Sequence, residues 1–305
     1  MASIAVDSVD ELIEQLDQHD YLADEGLATA IFLALKLERP LLLEGEAGVG
    51  KTEVAKVLSR WLGADLIRLQ CYEGIDVHQA VYEWDYSRQL LHLRTAEATG
   101  SATESSADDL EDELYSERFL IRRPLLEAIA PRDGQRPVLL IDEVDRADDE
   151  FEAFLLEVLS EYAITIPELG RFVADEPPVV IITSNRTRDV HDALKRRALY
   201  HWVEHPDFDR EVAILRMKAP EVSEDLARQV AAATAEIRSV GLYKPPGVAE
   251  TIDWAQALNL IGAGGLDASV ADSTLGTLLK YREDQMRVRG VGLGEIMQRA
   301  MNRPG

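Results

Sequence analysis

The sequence predicts an α/β fold with a parallel sheet, followed by a helical C-terminal part. Three observations predict it. The apolar run Leu41-Leu42-Leu43 enters the glycine-rich turn Gly45-Glu46-Ala47-Gly48-Val49-Gly50-Lys51-Thr52, and a helical pattern follows. A second apolar run, Val138-Leu139-Leu140-Ile141, stops at two adjacent carboxylates, Asp142-Glu143. A third, Val179-Val180-Ile181-Ile182, runs through Thr183-Ser184 to Asn185. Near-continuous apolar runs of this length suit strands buried on both faces, which is how helix-covered parallel sheets are built.

The elements follow in order. Val9 to Leu37 reads as two helices, with Leu12 and Leu16, then Leu27, Ile31 and Leu35, at helical spacing. Pro40 opens the first strand. The helix after the glycine turn sets Val54, Val57, Leu58, Trp61 and Leu62 on one face, and Gly63 ends it. Leu66 to Gln70 is the second strand, and Cys71 behind it is a small core filler. Residues 71–95 carry Tyr72, Tyr82, Trp84 and Tyr86, read as local packing of a helix plus an insert, with a partner-facing or pore-facing set as the other reading. Residues 99–113 are acidic and Ser-rich and read as a flexible loop. Asp149 to Tyr162 is a helix with an apolar stripe. Ala163 to Pro167 and Arg171 to Val173 flank Glu168-Leu169-Gly170 as a short hairpin. Leu199 to Val203 alternates as the fifth strand, and Pro206 marks a boundary. From Asp207 onward the pattern is helical, with Leu226, Val230, Ala233 and Ile237 on one face and Trp254, Leu258 and Ile261 on another. The stretch from Arg287 to Gly305 is basic and Gly-containing and reads as loosely held.

The motifs carry chemistry. Residues 45–52 fit G-x-x-x-x-G-K-[ST], a loop whose backbone N–H groups converge on a phosphate at the positive end of the next helix. Lys51 reaches the β- and γ-phosphates, and the Thr52 hydroxyl ligates Mg²⁺. Asp142, at a strand end, is placed to hold Mg²⁺ through water. Glu143 is the group to orient and deprotonate an attacking water, which argues for hydrolysis rather than binding alone. Asn185 ends a strand at the edge where open α/β sheets take ligands, and its amide can hold that water. Arg196 and Arg197, in Leu194-Lys195-Arg196-Arg197, fit an arginine finger serving a neighbouring subunit; a solvated or DNA-facing helix end is the other reading.

These elements, in this order, resemble the AAA+ ATPases, strongly over about residues 20–205. In detail the chain is closer to the MoxR branch, and within it to CoxD-like ATPases. That likeness rests on residues 45–52, Leu69-Gln70-Cys71-Tyr72-Glu73-Gly74, Tyr82-Glu83-Trp84-Asp85-Tyr86, Ile141-Asp142-Glu143-Val144-Asp145-Arg146, Thr183-Ser184-Asn185-Arg186-Thr187 and Leu194-Lys195-Arg196-Arg197. The resemblance implies a three-layer αβα core with a five-stranded parallel sheet and a C-terminal helical lid. It implies residues 1–38 as preceding helices, 39–206 as the nucleotide-binding core, and 207–305 as lid and tail. Asn185 becomes sensor 1, and Arg197 the finger, with Arg196 as second candidate. The family implies a hexameric ring that hydrolyses ATP with Mg²⁺ to remodel a client protein, often beside a von Willebrand factor A-type partner, in maturing metalloenzymes or other complexes. A family lid carries a sensor-2 arginine near Tyr243 to Trp254, where this chain has none; Lys244 and Arg238 are the substitutes to weigh.

Bulk properties set limits. The chain has 305 residues and a formal charge of −24, with seven lysines against 56 acidic residues. That charge argues against nonspecific nucleic-acid or anionic-membrane binding, and so against the alternative of an AAA+ motor on nucleic acid. The other alternative is a nucleotide-gated scaffold with little hydrolysis. An acidic, Lys-poor surface also suits high salt. No apolar run approaches the roughly 18 residues of a membrane span. The start, Met-Ala-Ser-Ile-Ala-Val-Asp, lacks the basic and apolar regions of a secretory signal, so the cytoplasm is the expected compartment. One cysteine excludes an internal disulfide. The six histidines show no metal-ligand spacing, so Mg²⁺ is the only metal expected.

Overall fold

A computed structural model describes residues 6–99, 107–132 and 134–302. Two compact units emerge. One takes Thr29–Leu43 and Leu58–His201; the other takes Val6–Ala28, Glu44–Val57 and the described part of Trp202–Gly305.

The first unit is built on a five-stranded sheet. Its strands are β1 (Leu41–Glu44), β2 (Leu66–Gln70), β5 (Val138–Asp142), β8 (Val179–Ser184) and β9 (Leu199–Trp202), in the order β2-β5-β8-β1-β9. β2 and β8 both run parallel to β5, with Leu69 against Ile141 and Leu140 against Ile181. Every residue of β1, β5 and β8 is buried, as their apolar runs require. The strand pleat splits them between two faces. Leu139, Ile141, Val180 and Ile182 join one core with Phe151, Leu155 and Leu126 from the helices Asp149–Glu161 and Pro124–Ile129. On the other face Val179 and Ile181 line a crevice with Ile31, Ala34 and Leu35 of the helix Glu25–Leu37. Helices therefore cover both faces of the sheet.

Two small sheets complete this unit. β3 (Tyr82–Trp84) pairs antiparallel with β4 (Leu120–Arg122), and β6 (Ala163–Ile166) with β7 (Gly170–Val173). The β6–β7 hairpin was expected; β3–β4 was not. Trp84 stacks edge-on against Tyr82 and Tyr115, so Tyr82 and Trp84 pack locally, whereas Tyr72 and Tyr86 are exposed. Residues 99–113 differ from the expected loop. A helix spans Ala107–Leu114 and another ends at Thr99, while residues 100–106 lie outside the described part.

The second unit is helical beyond Trp202: Phe208–Lys218, Glu224–Arg238, Val248–Leu260, Ala268–Leu278, Arg282–Val291 and Leu293–Met301. Its core holds Trp254 and Leu258, and the Trp254 indole donates to Thr274 Oγ1 at 2.8 Å. Over its described residues, 287–302, the tail is not loosely held. Val288, Leu293, Ile296, Met297 and Ala300 are buried in that core. Their spacing is helical, broken once where Gly292 takes φ +99° between two helices; the flanking arginines and glycines masked the pattern. Among the described residues no helix is long and apolar enough to cross a membrane.

Candidate active site

The glycine loop leaves β1 and opens the helix Lys51–Leu62. A short strand that ends fully buried forces the chain to turn at once, and glycines supply the turn. Gly48 shows why. Its φ is +81°, and a Cβ there would meet Gly247 Cα at 2.9 Å, so only glycine fits. Gly247, in turn, would place a Cβ 2.5 Å from Gly48 Cα. Val248, opening the helix Val248–Leu260, donates its N–H to Gly48 O at 2.9 Å. Lys51 is 5% exposed, and its ammonium donates to the loop carbonyls of Gly45 (2.8 Å) and Glu46 (2.6 Å). The positive charge is thus laid along the loop that would hold a phosphate. Glu46 meets His205 Nε2 at 3.1 Å.

The strand-end carboxylates form a second cluster, in the other unit. Asp142 is buried; its Oδ1 accepts from Thr183 Oγ1 at 2.5 Å and its Oδ2 from Arg68. Thr183 also accepts the Glu143 N–H at 2.9 Å. Glu143 stands at φ +55°, a left-handed conformation that costs about 1–3 kcal/mol and recurs at functional sites. That turn points its carboxylate at three donors: Asn185 Nδ2 (3.3 Å), Gln70 Nε2 (3.2 Å) and Arg146 Nε (2.9 Å). Asn185 is held from behind. The buried Asp145 carboxylate accepts from Asn185 N, Thr187 N and Thr187 Oγ1 at 3.1, 2.8 and 2.6 Å. Glu143 and Asn185 are therefore in contact. Cys71, which follows β2, is buried; burial, with Asp142 next in weight, pushes its thiol up to about 12. It is a neutral core filler.

Arg196 and Arg197 end the helix Asp192–Arg197, whose last carbonyls accept from the Arg39 guanidinium. Arg197 reaches back to Ser160 O. The two sensor-2 substitutes are otherwise engaged. Arg238 forks onto the buried Glu211 at 2.7 and 2.8 Å and donates to Pro246 O. The Lys244 ammonium lies over the Tyr281 ring.

Mg²⁺ takes oxygen ligands and is held by one or two carboxylates together with substrate phosphates, keeping several waters. Two oxygen donors suit that chemistry, one in each unit: the Asp142 carboxylate at the end of β5 and the Thr52 hydroxyl in the first turn after the loop. No group of three or more His, Cys, Asp or Glu among the described residues could hold an ion by protein ligands alone, so the phosphates would complete the shell.

The sequence named Lys51, Asp142, Glu143 and Asn185 as candidates. It did not find Arg68, Gln70, Thr183 and Asp145 as their partners. The only signal was strand order, since these contacts join neighbouring strands.

A glycine loop between a buried strand and a helix, with an Asp-Glu pair ending another strand of the same sheet, defines a phosphate-loop ATPase of α/β architecture. Residues 40–198 match the AAA domain, dynein-related subfamily, and the chain belongs to that family of AAA+ ATPases. It is 23% identical over 219 residues to uncharacterized protein SERP0979 of Staphylococcus epidermidis, across 70% of this chain and 72% of that one. Among solved structures it is similar to Thermotoga maritima RuvB, the Holliday junction branch migration motor, at TM-score 0.46 and 18% identity, covering 89% of this chain and 72% of that one. It is also similar to a candidate ATPase from Cytophaga hutchinsonii, at TM-score 0.47 and 13% identity, covering 97% and 94%.

Proposed function

We propose that this protein is a ring-forming, MoxR-type AAA+ ATPase, closest to the CoxD-like group, which uses ATP hydrolysis to remodel a client protein. Residues 39–206 serve as the nucleotide-binding core and 207–305 as its lid. Residues 45–52 wrap the phosphates, Lys51 neutralises them, and Thr52 and Asp142 hold Mg²⁺. The ion, when bound, screens the phosphate oxygens and the charge developing on them. Glu143 takes the proton of the attacking water while Asn185 holds that water in line. Arg197, or Arg196 in its place, completes the site of the next subunit, so turnover needs the ring. The client is a protein, with a von Willebrand factor A-type partner and metalloenzyme maturation as the setting the resemblance suggests, in the cytoplasm.

One observation carries this reading: the strained Glu143 meets Asn185 at 3.3 Å. A scaffold that only binds nucleotide has no need of a carboxylate and an amide posed together. The nucleic-acid alternative loses support from its own cluster, because Arg188 is engaged by Asp149, Glu152 and Ala147 O, and Arg186 pairs with Asp189.

The test is Glu143→Gln, which keeps the shape and one acceptor oxygen but removes the base. ATP should still bind while turnover falls at least about a hundredfold, the usual contribution of a positioned base, and the trapped complex should retain its client in a pull-down. Undiminished hydrolysis would contradict the assignment, and DNA-stimulated turnover of the wild type would favour a nucleic-acid motor.

A further inference from the structure

β2 lies at the edge of the sheet and presents two polar side chains to the carboxylate pair. Arg68 and Gln70 are two residues apart, so the pleat turns them to the same face. In the parallel register Gln70 lies against Asp142 and Arg68 against Leu140. Arg68 donates to Asp142 Oδ2 from Nη2 at 2.5 Å and from Nε at 3.1 Å. Gln70 Nε2 donates to Glu143 Oε2 at 3.2 Å, and Arg68 Nη2 donates to Gln70 Oε1 as well. One connected chain of side chains therefore occupies both carboxylates.

We propose that Arg68 is a latch on the magnesium-binding carboxylate: in the nucleotide-free protein it holds Asp142, and it must be displaced before Mg²⁺·ATP binds tightly. This rests on the reading of Asp142 as the magnesium carboxylate. Thr183 donates to Oδ1 and the Arg68 fork holds Oδ2, so the guanidinium and the hydrated ion compete for this carboxylate. A fixed positive charge there also repels an arriving dication at short range. The two partners differ in freedom. The Asp142 side chain is 4% exposed and stays in place, whereas that of Arg68 is 54% exposed and can swing into water. Its departure removes the group that holds Gln70 Oε1. Arg68 is a positioning residue that acts through Asp142.

The test uses the full-length chain with Arg68→Gln and Arg68→Lys. Mn²⁺ binding, followed by electron paramagnetic resonance with a non-hydrolysable ATP analogue, gives the metal half-saturation without any turnover. Arg68→Gln should lower that concentration about three- to tenfold, the size expected of one partly exposed charge-assisted hydrogen bond. Arg68→Lys, which keeps the charge but loses the fork, should fall between. Affinity for the metal-free nucleotide should not change, which a merely structural role does not predict. A half-saturation that is unchanged or raised in Arg68→Gln overturns the latch while leaving the ATPase reading intact. Failure of the wild type to bind the Mn²⁺–nucleotide complex overturns the site assignment and the latch with it.

Discussion

Arg196 and Arg197 differ in what they would give up to serve a neighbouring subunit. The Arg197 guanidinium donates to Ser160 O within its own chain. The Arg196 side chain is exposed and makes no hydrogen bond or ion pair among the described residues. A single exposed hydrogen bond contributes only about 1 kcal/mol, so the Ser160 contact does not prevent Arg197 from reaching across, and it holds the side chain near one conformation beforehand. Arg197→Ala is expected to keep ATP binding and to lose turnover about a thousandfold, the usual cost of removing a finger. Steady-state hydrolysis of the assembled protein checks it. If turnover survives in Arg197→Ala and collapses in Arg196→Ala, the role moves one residue. At this scale the sequence singles out candidates by their place at a strand or helix end, as for Lys51, Asp142, Glu143 and Asn185. It was silent on Arg68, Gln70, Thr183 and Asp145, whose contacts span 40 to 74 positions. Those depend on β2, β5 and β8 being neighbours, which no local pattern encodes.

Among elements, the helix Val248–Leu260 stands where a sensor-2 arginine was sought, and it meets the phosphate loop by backbone instead. Two glycines let the segments touch, Val248 N–H bonds Gly48 O, and Glu250 accepts the Gly247 N–H at 3.0 Å. Arg238, buried with Glu211, steadies the preceding turn through Pro246 O. Gly247→Ala should therefore act on loop and helix together. Its methyl group would stand 2.5 Å from Gly48 Cα, a clash that backbone cannot relieve by a rotamer change. Overpacking of this kind costs about 1–3 kcal/mol. The variant should melt lower and bind ATP more weakly, in parallel, by calorimetry and nucleotide titration. Lower melting with unchanged ATP affinity would show that the contact serves stability alone. Element boundaries follow the same logic as residues. The five sheet strands and the hairpin were legible because each carries its own apolar or turn signal. β3–β4 was not, because each strand has three residues and its partner is more than 30 positions away. The last two helices were hidden by arginines on their exposed faces.

For the whole molecule the charge sets the solution behaviour. Acidic residues exceed Lys and Arg by 24, so long-range repulsion acts on every part of the folded chain. Salt acts on two opposing terms. It weakens surface pairs such as Arg123–Glu83 and Arg289–Asp272, whose side chains are about half exposed; such pairs contribute about 0–1 kcal/mol each. It also shortens the reach of the net repulsion, from about 10 Å at 0.1 M to about 3 Å at 1 M. The buried pair Arg238–Glu211 is largely sheltered from both effects. With 56 acidic residues against 32 Lys and Arg, at least 24 acidic groups lack a basic partner by simple count, and the repulsive term wins. The melting temperature should rise between 0.05 and 1 M KCl by about 2–4 °C, the shift that roughly 1–2 kcal/mol gives a chain of this size. Sodium sulfate would confuse the result, since it strengthens apolar burial directly; KCl at fixed pH isolates screening. A melting temperature that is flat or falling across that range would mean that the surface ion pairs outweigh the excess of negative charge.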